Sequence, residues 1–240
     1  LGGKDNFPAD RADAARLIEV TPELARLARQ NREFLGRAVR WAAAQGIAQF
    51  LDIGSGLPTS SNTHQVAQSV LPRARVAYVD CDPVVVVHAT ALLTGDGSTV
   101  AVRGDVTRPR AILDHPDVIA LIDPRQPVAV IAAMVLHFLP AVQAREVMRS
   151  FTESVVPGSQ LIISAGCGAP EVGERLTSQY AAGPLYNHTP AEFESLFGGT
   201  TIVTPPGLAF AADWRPGTPA PRPVLTGAHV LAGVGTVPRW

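Results

Sequence analysis

The chain has 240 residues and a mass of 25.3 kDa, enough to bury a core without a disulfide or a structural metal. An apolar content of 46% and a mean hydropathy of +0.15 exclude a disordered chain, and no apolar run approaches the roughly 20 residues of a membrane span. Twenty basic against 21 acidic residues, a net charge of −1, lack the basic excess of a dedicated nucleic-acid binder.

Leu1-Gly2-Gly3-Lys4-Asp5 has no charged-then-apolar signal layout, so a cytoplasmic protein is expected. Leu1 in place of Met implies residues upstream. Residues 8–47 carry helical patterning, clearest over 22–44, where Leu24, Leu27, Phe34, Leu35, Val39 and Trp41 supply the apolar positions. Gln49–Ile53 then reads as a strand ending at Gly54, followed by a helix over 62–70. Val76–Val79 is a second strand closing at Asp80, and 83–93 a helix with Asp82 as N-cap and Pro83 at its first position.

Thr99–Val102, Val128–Ala133 and Leu161–Ser164 are three further strands, with helices over 109–115 and 141–154 between them. Apolar residues at consecutive positions suit parallel strands buried on both faces. Thr189-Pro190-Ala191-Glu192 is a capping box opening a short helix to Phe197, which Gly198-Gly199 stops. Thr200–Val203 and Ala228–Val234 suit an antiparallel pair at the sheet edge. Between them the segment 204–226 holds six prolines (205, 206, 216, 219, 221 and 223) and reads as an irregular excursion. No repeat or linker divides the chain, so one domain is expected over 1–240, with 1–47 as a helical cap on a core of 48–240.

Cys81 and Cys167 stand 86 positions apart, match no metal or redox spacing, and read as small apolar residues of a reducing compartment. No metal site is expected. The chemistry sits in Phe50-Leu51-Asp52-Ile53-Gly54-Ser55-Gly56, an apolar strand running into Asp-x-Gly-x-Gly. Open α/β sheets bind ligands at strand carboxyl ends, and glycines let a ligand meet the backbone closely. Gly-x-Gly alone also occurs in ordinary tight turns. Asp80 ends the next strand, where a carboxylate can accept from two ribose hydroxyls, and Asp105, before Val106, is placed to accept from an adenine amino group. Each acid singly could be a helix cap or a solvated turn; three at corresponding strand ends form one pattern.

A dinucleotide fold wants a third glycine where Thr59 stands, and the only lysine is Lys4, so no Walker motif exists. The cationic sulfonium and ammonium of S-adenosyl-L-methionine suit these acids better than a pyrophosphate does. An NAD-linked oxidoreductase is the weaker alternative.

Several stretches resemble an S-adenosyl methyltransferase family of high-GC bacteria, formerly a domain of unknown function. They are Leu1–Phe7, Asn31–Leu35, Gln49–Thr59, Tyr78–Val85, Leu136-His137-Phe138, Trp214-Arg215-Pro216 and Gly233-Val234-Gly235. The content of 19 arginines to one lysine agrees with such a genome. The resemblance implies a Rossmann-like class I methyltransferase: an α/β fold with seven strands, mostly parallel, the last antiparallel, and helices on both faces. Asp52, Gly54, Ser55 and Gly56 would form the loop at the methionine side of the cofactor, with Asp80 and Cys81 at the ribose, Asp105 and Val106 at the adenine, and Met134 at the fourth strand tip. Asn6, Asn31 and Arg32 would belong to a cap over it. The family commonly has Asn where this chain has Cys81.

His137 follows the fourth strand, where methyltransferases place substrate-facing groups, and is the candidate catalytic base; the competing reading is a histidine packed behind the cofactor. Of the other histidines, 88, 115, 188 and 229 read as surface or capping residues and 64 is less settled. Tyr180 and Tyr186 flank the expected substrate side. Arg26, Arg29, Arg32, Arg37 and Arg40 read as a solvated helix face. Asp123-Pro124-Arg125 differs from the motif of amino-directed DNA methyltransferases. The expected activity is methyl transfer to a small-molecule oxygen or nitrogen nucleophile, without nucleic-acid or membrane partners. The alternative is a cofactor-binding regulator without turnover. Sequence does not decide between monomer and homodimer.

Overall fold

The central strand β1 (Gln49–Ile53) is buried at every position, as its unbroken apolar run requires if both faces of a sheet are covered. In this computed structural model, residues 15–16, 18–19, 21–59, 61–93, 95–168, 184–221, 223–224 and 227–238 are described. Parallel neighbours flank β1 on both sides: β2 (Arg75–Asp80) with β3 (Thr99–Arg103) beyond it, and β4 (Ala129–Ala133) with β5 (Gln160–Gly168). β8 (Ala228–Thr236) runs antiparallel to β5 and carries β6 (Thr201–Ile202) and β7 (Ala209–Phe210) on its other side. The order is β3-β2-β1-β4-β5-β8-β6, with β7 pairing β8.

The path holds the seven strands expected, and among the described residues an eighth pairs beside it. The extra one, β7, is two residues long and lies inside the proline-rich excursion, where Ala209 and Phe210 pair with Ala232 and Leu231. A segment this short has no periodicity to read. β5 also runs four residues past Ser164, because Ala165–Gly168 find ladder partners in Leu231–Ala228.

Helix α1 (Leu24–Ala44) lays Leu27, Phe34, Leu35, Ala38, Val39 and Ala42 on one face of the sheet. That face presents Phe50, Val76, Tyr78, Ala129, Ile131 and Ile162, the alternate residues that the pleat turns one way. Leu51, Ile53, Val79, Val130, Ala132 and Ile163 turn the other way, towards α6 (Ala141–Ser154) and its Ala144, Val147, Met148 and Phe151. Both layers bury large side chains, each worth about 1.5–3 kcal/mol of transfer free energy.

The remaining helices are short connectors: α2 (Thr63–Gln68), α3 (Pro83–Leu93), α4 (Pro109–Leu113), α5 (Pro116–Leu121) and α7 (Pro190–Ser195). Asp82 caps α3, its Oδ1 accepting from the Val84 N–H at 2.8 Å. Thr189 and Glu192 close the expected capping box on α7. Helix α5 follows α4 where one helix over 109–115 was expected, and His115 caps it by accepting from the Asp117 N–H.

Arg37 is no part of a solvated face. Its Nε donates to the Trp214 carbonyl at 2.8 Å and its Nη2 to the Ala211 carbonyl, pinning the proline-rich excursion to α1. Trp214, fully buried, meets the Phe34 ring edge-on at 5.3 Å. Among the described residues, no helix is long and apolar enough to cross a membrane.

Candidate functional site

The turn after β1 is stapled to β2. Gly54 N–H donates to the Val79 carbonyl at 2.8 Å, and Gly56 N–H donates to Asp80 Oδ2 at 2.9 Å. Gly54 (φ +68°) and Gly56 (φ +64°) adopt the left-handed conformation that side chains disfavour. A Cβ on Gly54 would lie 2.6 Å from Val135 Cγ2, so that glycine is also required by packing. A Cβ on Gly56 would meet nothing within 4 Å, so that glycine is required by its backbone conformation and not by packing.

A cavity of about 570 Å³ opens over this turn, inside the range of roughly 300–1,000 Å³ usual for small-ligand sites. One wall is α1, through Leu24, Leu27, Ala28, Asn31, Arg32 and Leu35. The floor is Asp52, Gly54, Ser55, Gly56 and Leu57 with Ala133 and Met134 at the tip of β4. The far side is His137, Gly166, Cys167, Tyr186, Asn187 and the start of β8 at Ala228–Val230.

Asp52 is the buried acid of the floor, 6% exposed. Thr63 Oγ1 donates to its Oδ2 at 2.6 Å. Burial pushes its carboxyl up to about 6, against the opposing pull of the Thr63 hydroxyl and the Arg32 charge. Asn31, beside Arg32, accepts the Ser164 hydroxyl at 2.6 Å, which ties α1 to β5.

The three acids do not stand at corresponding strand positions. The register aligns Asp52 with Tyr78 and Asp80 with Arg103. Asp80 therefore sits two residues, roughly 6.6 Å, further out than Asp52 on the same face, and Asp105 comes two residues after Arg103. They form a staircase. Asp80 spends Oδ2 on Gly56 and Oδ1 on the Asp82 N–H at 3.0 Å. Asp105 is exposed and accepts from the N–H and hydroxyl of Thr107 in a local turn. Asp80, the exposed Cys81, Asp105 and half-buried Val106 are not among the residues that line the cavity. Asn6 and Tyr180 lie outside the described residues.

Met134 has φ +56°, rare for a residue with a side chain, and its N–H donates to the Ser164 carbonyl at 2.9 Å. Such strain persists where surrounding structure holds it, often at functional sites. His137 belongs to a 3₁₀ turn, Leu136–Phe138, whose His137 carbonyl accepts from the Tyr186 N–H at 2.7 Å. Burial, then the neighbouring His188, lowers the His137 imidazole to about 4, so it is neutral at pH 7. Its Nδ1 is buried with no hydrogen-bond partner among the described residues.

Two histidines read as surface or capping residues are neither. His188 is 2% exposed, donating from Nε2 to the Leu139 carbonyl at 2.9 Å. His229 lines the cavity with its ring stacked on Phe210 at 4.3 Å. Its register partner across β5 and β8 is Cys167, whose thiol donates to the His188 carbonyl at 2.9 Å. Cys167 is buried, as expected, yet also lines the cavity. No local sequence signal links residues 62 positions apart; only the strand pairing does. His64 bonds to the Tyr78 hydroxyl and is not among the residues that line the cavity.

These groups fit an adenosyl-sulfonium ligand: a left-handed glycine turn beneath the cavity, a buried carboxylate in its floor, and a further acid two residues out. Residues 1–238 match a family model described as S-adenosyl methyltransferase. The chain belongs to that family. This makes it an S-adenosylmethionine-dependent enzyme by class and sets the NAD alternative aside.

A provisionally assigned methyltransferase of Thermobifida fusca YX is 40% identical, with a TM-score of 0.90 over 100% of this chain and 92% of that one. A DUF574 family protein of Streptomyces avermitilis MA-4680 is 34% identical, with a TM-score of 0.86 over 99% and 94%. Human N-acetylserotonin methyltransferase, solved in complex with SAM, is 15% identical with a TM-score of 0.51 over 100% of this chain and 61% of that one, a likeness of fold. No curated protein matches the chain.

Proposed function

We propose that this methyltransferase, acting as one domain over residues 1–240 in the cytoplasm, methylates an oxygen or nitrogen of a small molecule without a nucleic-acid partner. The observation that carries this reading is a single cavity that joins the glycine turn to His137 and Tyr186. Donor and acceptor can share it. When bound, S-adenosylmethionine supplies an activated methyl group on a positively charged sulfur.

In this reading Asp52, Gly54, Ser55, Gly56 and Met134 hold the donor from the floor, with Asn31 and Arg32 above it. Asp80 and Cys81 meet the ribose, Asp105 and Val106 the adenine, and Asn6 completes the cap. Leu24, Leu27 and Leu35 on α1 exclude water, so that charges inside act at short range and low dielectric. His137, neutral at pH 7, accepts a hydrogen bond from the acceptor O–H or N–H and orients its lone pair. Alignment supplies most of the rate, since holding two reacting groups in place is worth up to roughly 7–11 kcal/mol.

A second reading is a cofactor-binding regulator without turnover. One observation favours it: among the described residues no carboxylate acts on His137 to stabilise an imidazolium, and its charge neighbour is another histidine. Release of S-adenosylhomocysteine with a panel of phenols, carboxylic acids and amines tests both. Turnover with any acceptor supports the enzyme; tight cofactor binding with no turnover across the panel supports the regulator.

A further inference from the structure

Residues 185–188 form a strap on the far side of the cavity, tied down at four points. The Tyr186 N–H donates to the His137 carbonyl and the Asn187 amide to the Gly168 carbonyl, each at 2.7 Å. His188 Nε2 donates to the Leu139 carbonyl and the Cys167 thiol to the His188 carbonyl, each at 2.9 Å. The strap is thus fixed to the turn after β4 and to the end of β5, and its Leu185, Tyr186 and Asn187 line the cavity.

What the strap leaves unspent is polar but uncharged. Among the described residues, neither the Tyr186 hydroxyl nor the Asn187 Oδ1 has a hydrogen-bond partner. The titratable groups around them are held neutral by burial. It lowers the imidazoles of His137, to about 4, and of His229, with His188 and Arg26 respectively adding to the shift. It pushes the Cys167 thiol up to about 11. Among the described lining residues, charge comes from Asp52 in the β1 floor and Arg32 in the α1 wall. A carboxylate or ammonium held against the strap would lose hydration without gaining a counter-charge there, a cost that a neutral hydroxyl avoids. Nearby, the His229 ring stacks on Phe210 with an interplanar angle of 17°, an aromatic surface suited to a further planar ring.

We infer that the strap side of the cavity is a subsite for an uncharged aromatic hydroxyl compound, a phenol in class, with Tyr186 and Asn187 as its specificity residues. The inference rests on the methyltransferase reading and narrows its oxygen or nitrogen acceptor to a neutral aryl hydroxyl. That hydroxyl donates into a set of groups able to accept: the Asn187 Oδ1, the Tyr186 oxygen and the neutral His137 imidazole. The ring it belongs to is held by apolar lining such as Leu27, Leu35 and Val230 and by the His229 surface.

Calorimetry at pH 7.5, on the full chain saturated with S-adenosylhomocysteine, compares probes built on one two-ring body. They are 2-naphthol, the anion 2-naphthoate, the cation 2-naphthylmethylammonium and the saturated decahydro-2-naphthol. 2-Naphthol should bind roughly tenfold or more tightly than either charged probe, and about threefold more tightly than the saturated alcohol. Tyr186→Phe should weaken 2-naphthol by roughly three- to tenfold and leave S-adenosylhomocysteine within about twofold. A charged probe that matches 2-naphthol would overturn the subsite while leaving the cofactor reading intact. So would 2-naphthol that displaces S-adenosylhomocysteine or fails to bind beside it. Equal affinity for decahydro-2-naphthol would overturn the aromatic assignment. In Tyr186→Phe, an unchanged 2-naphthol affinity or an equal loss of both ligands would remove Tyr186 as a specificity residue. Wild-type protein that binds no S-adenosylhomocysteine would overturn the methyltransferase reading with it. Thermal melts show whether Tyr186→Phe is folded, and the wild-type ranking of the probes decides the charge class without it.

Discussion

Asp80 reaches across from the end of β2 and accepts the N–H of Gly56 at 2.9 Å, so one carboxylate holds the glycine turn of the neighbouring strand in place. Its second oxygen takes the Asp82 N–H. The same side chain that the sequence marks for ribose hydroxyls is thus a brace for the loop beneath them. Asp80→Ala should weaken S-adenosylhomocysteine binding by roughly 1–3 kcal/mol, through the lost acceptor and the loosened turn together. Calorimetry checks it, and an unchanged affinity would remove Asp80 from the site.

Gly54 and Gly56 share a left-handed backbone but not the same surroundings. Gly54 carries a packing demand as well as a backbone one. The 2.6 Å approach to Val135 adds a clash that folding must absorb. Gly56→Ala costs about 1–2 kcal/mol of backbone strain alone, whereas Gly54→Ala should cost clearly more. Denaturant titration of the two variants should rank them in that order.

Asp52 makes stability depend on pH. Its folded-state pKa, about 6, lies above the ordinary value of 3.8, so folding favours the protonated acid. That contribution is complete below about pH 4 and is lost as pH rises through 6. At pH 7.5 the buried charge costs about 3 kcal/mol. Asp52→Asn should therefore raise the melting temperature at pH 7.5 by roughly 6–12 °C, show little gain at pH 4, and weaken the cofactor at pH 7.5, where the carboxylate is charged. Scanning calorimetry at the two pH values reads the difference directly.

The His137 imidazole should stay neutral down to pH 5, because burial and His188 both oppose its charge. Nitrogen chemical shifts followed by NMR should show no titration between pH 8 and 5. A midpoint near the ordinary 6.5 would contradict the enclosure described here. His137→Gln should lower kcat while S-adenosylhomocysteine affinity holds.

Much of this fold was legible locally. Runs buried on both faces mark themselves by unbroken apolar residues, so β1 matches its expected bounds and β2 to β4 differ by a residue or so at their ends. Helices α3 and α6 match because Pro83 and Pro140 punctuate their starts. The glycine turn with Asp52 was equally plain. What escaped depends on distant partners. β7 exists only because β8 offers it an edge, and Arg37 is pinned by carbonyls 174 and 177 positions away. His229 and Cys167 enter the cavity through a ladder that no window of sequence contains. The staircase of acids follows from register, which spacing along the chain does not encode.

The most direct measurement is a structure of the chain with S-adenosylhomocysteine bound. The ligand should occupy the cavity beneath α1, its amino-acid end between Asp52 and Arg32 and its ribose beside Asp80. A ligand seated elsewhere at full occupancy, or a cavity left empty at saturating concentration, would contradict this account.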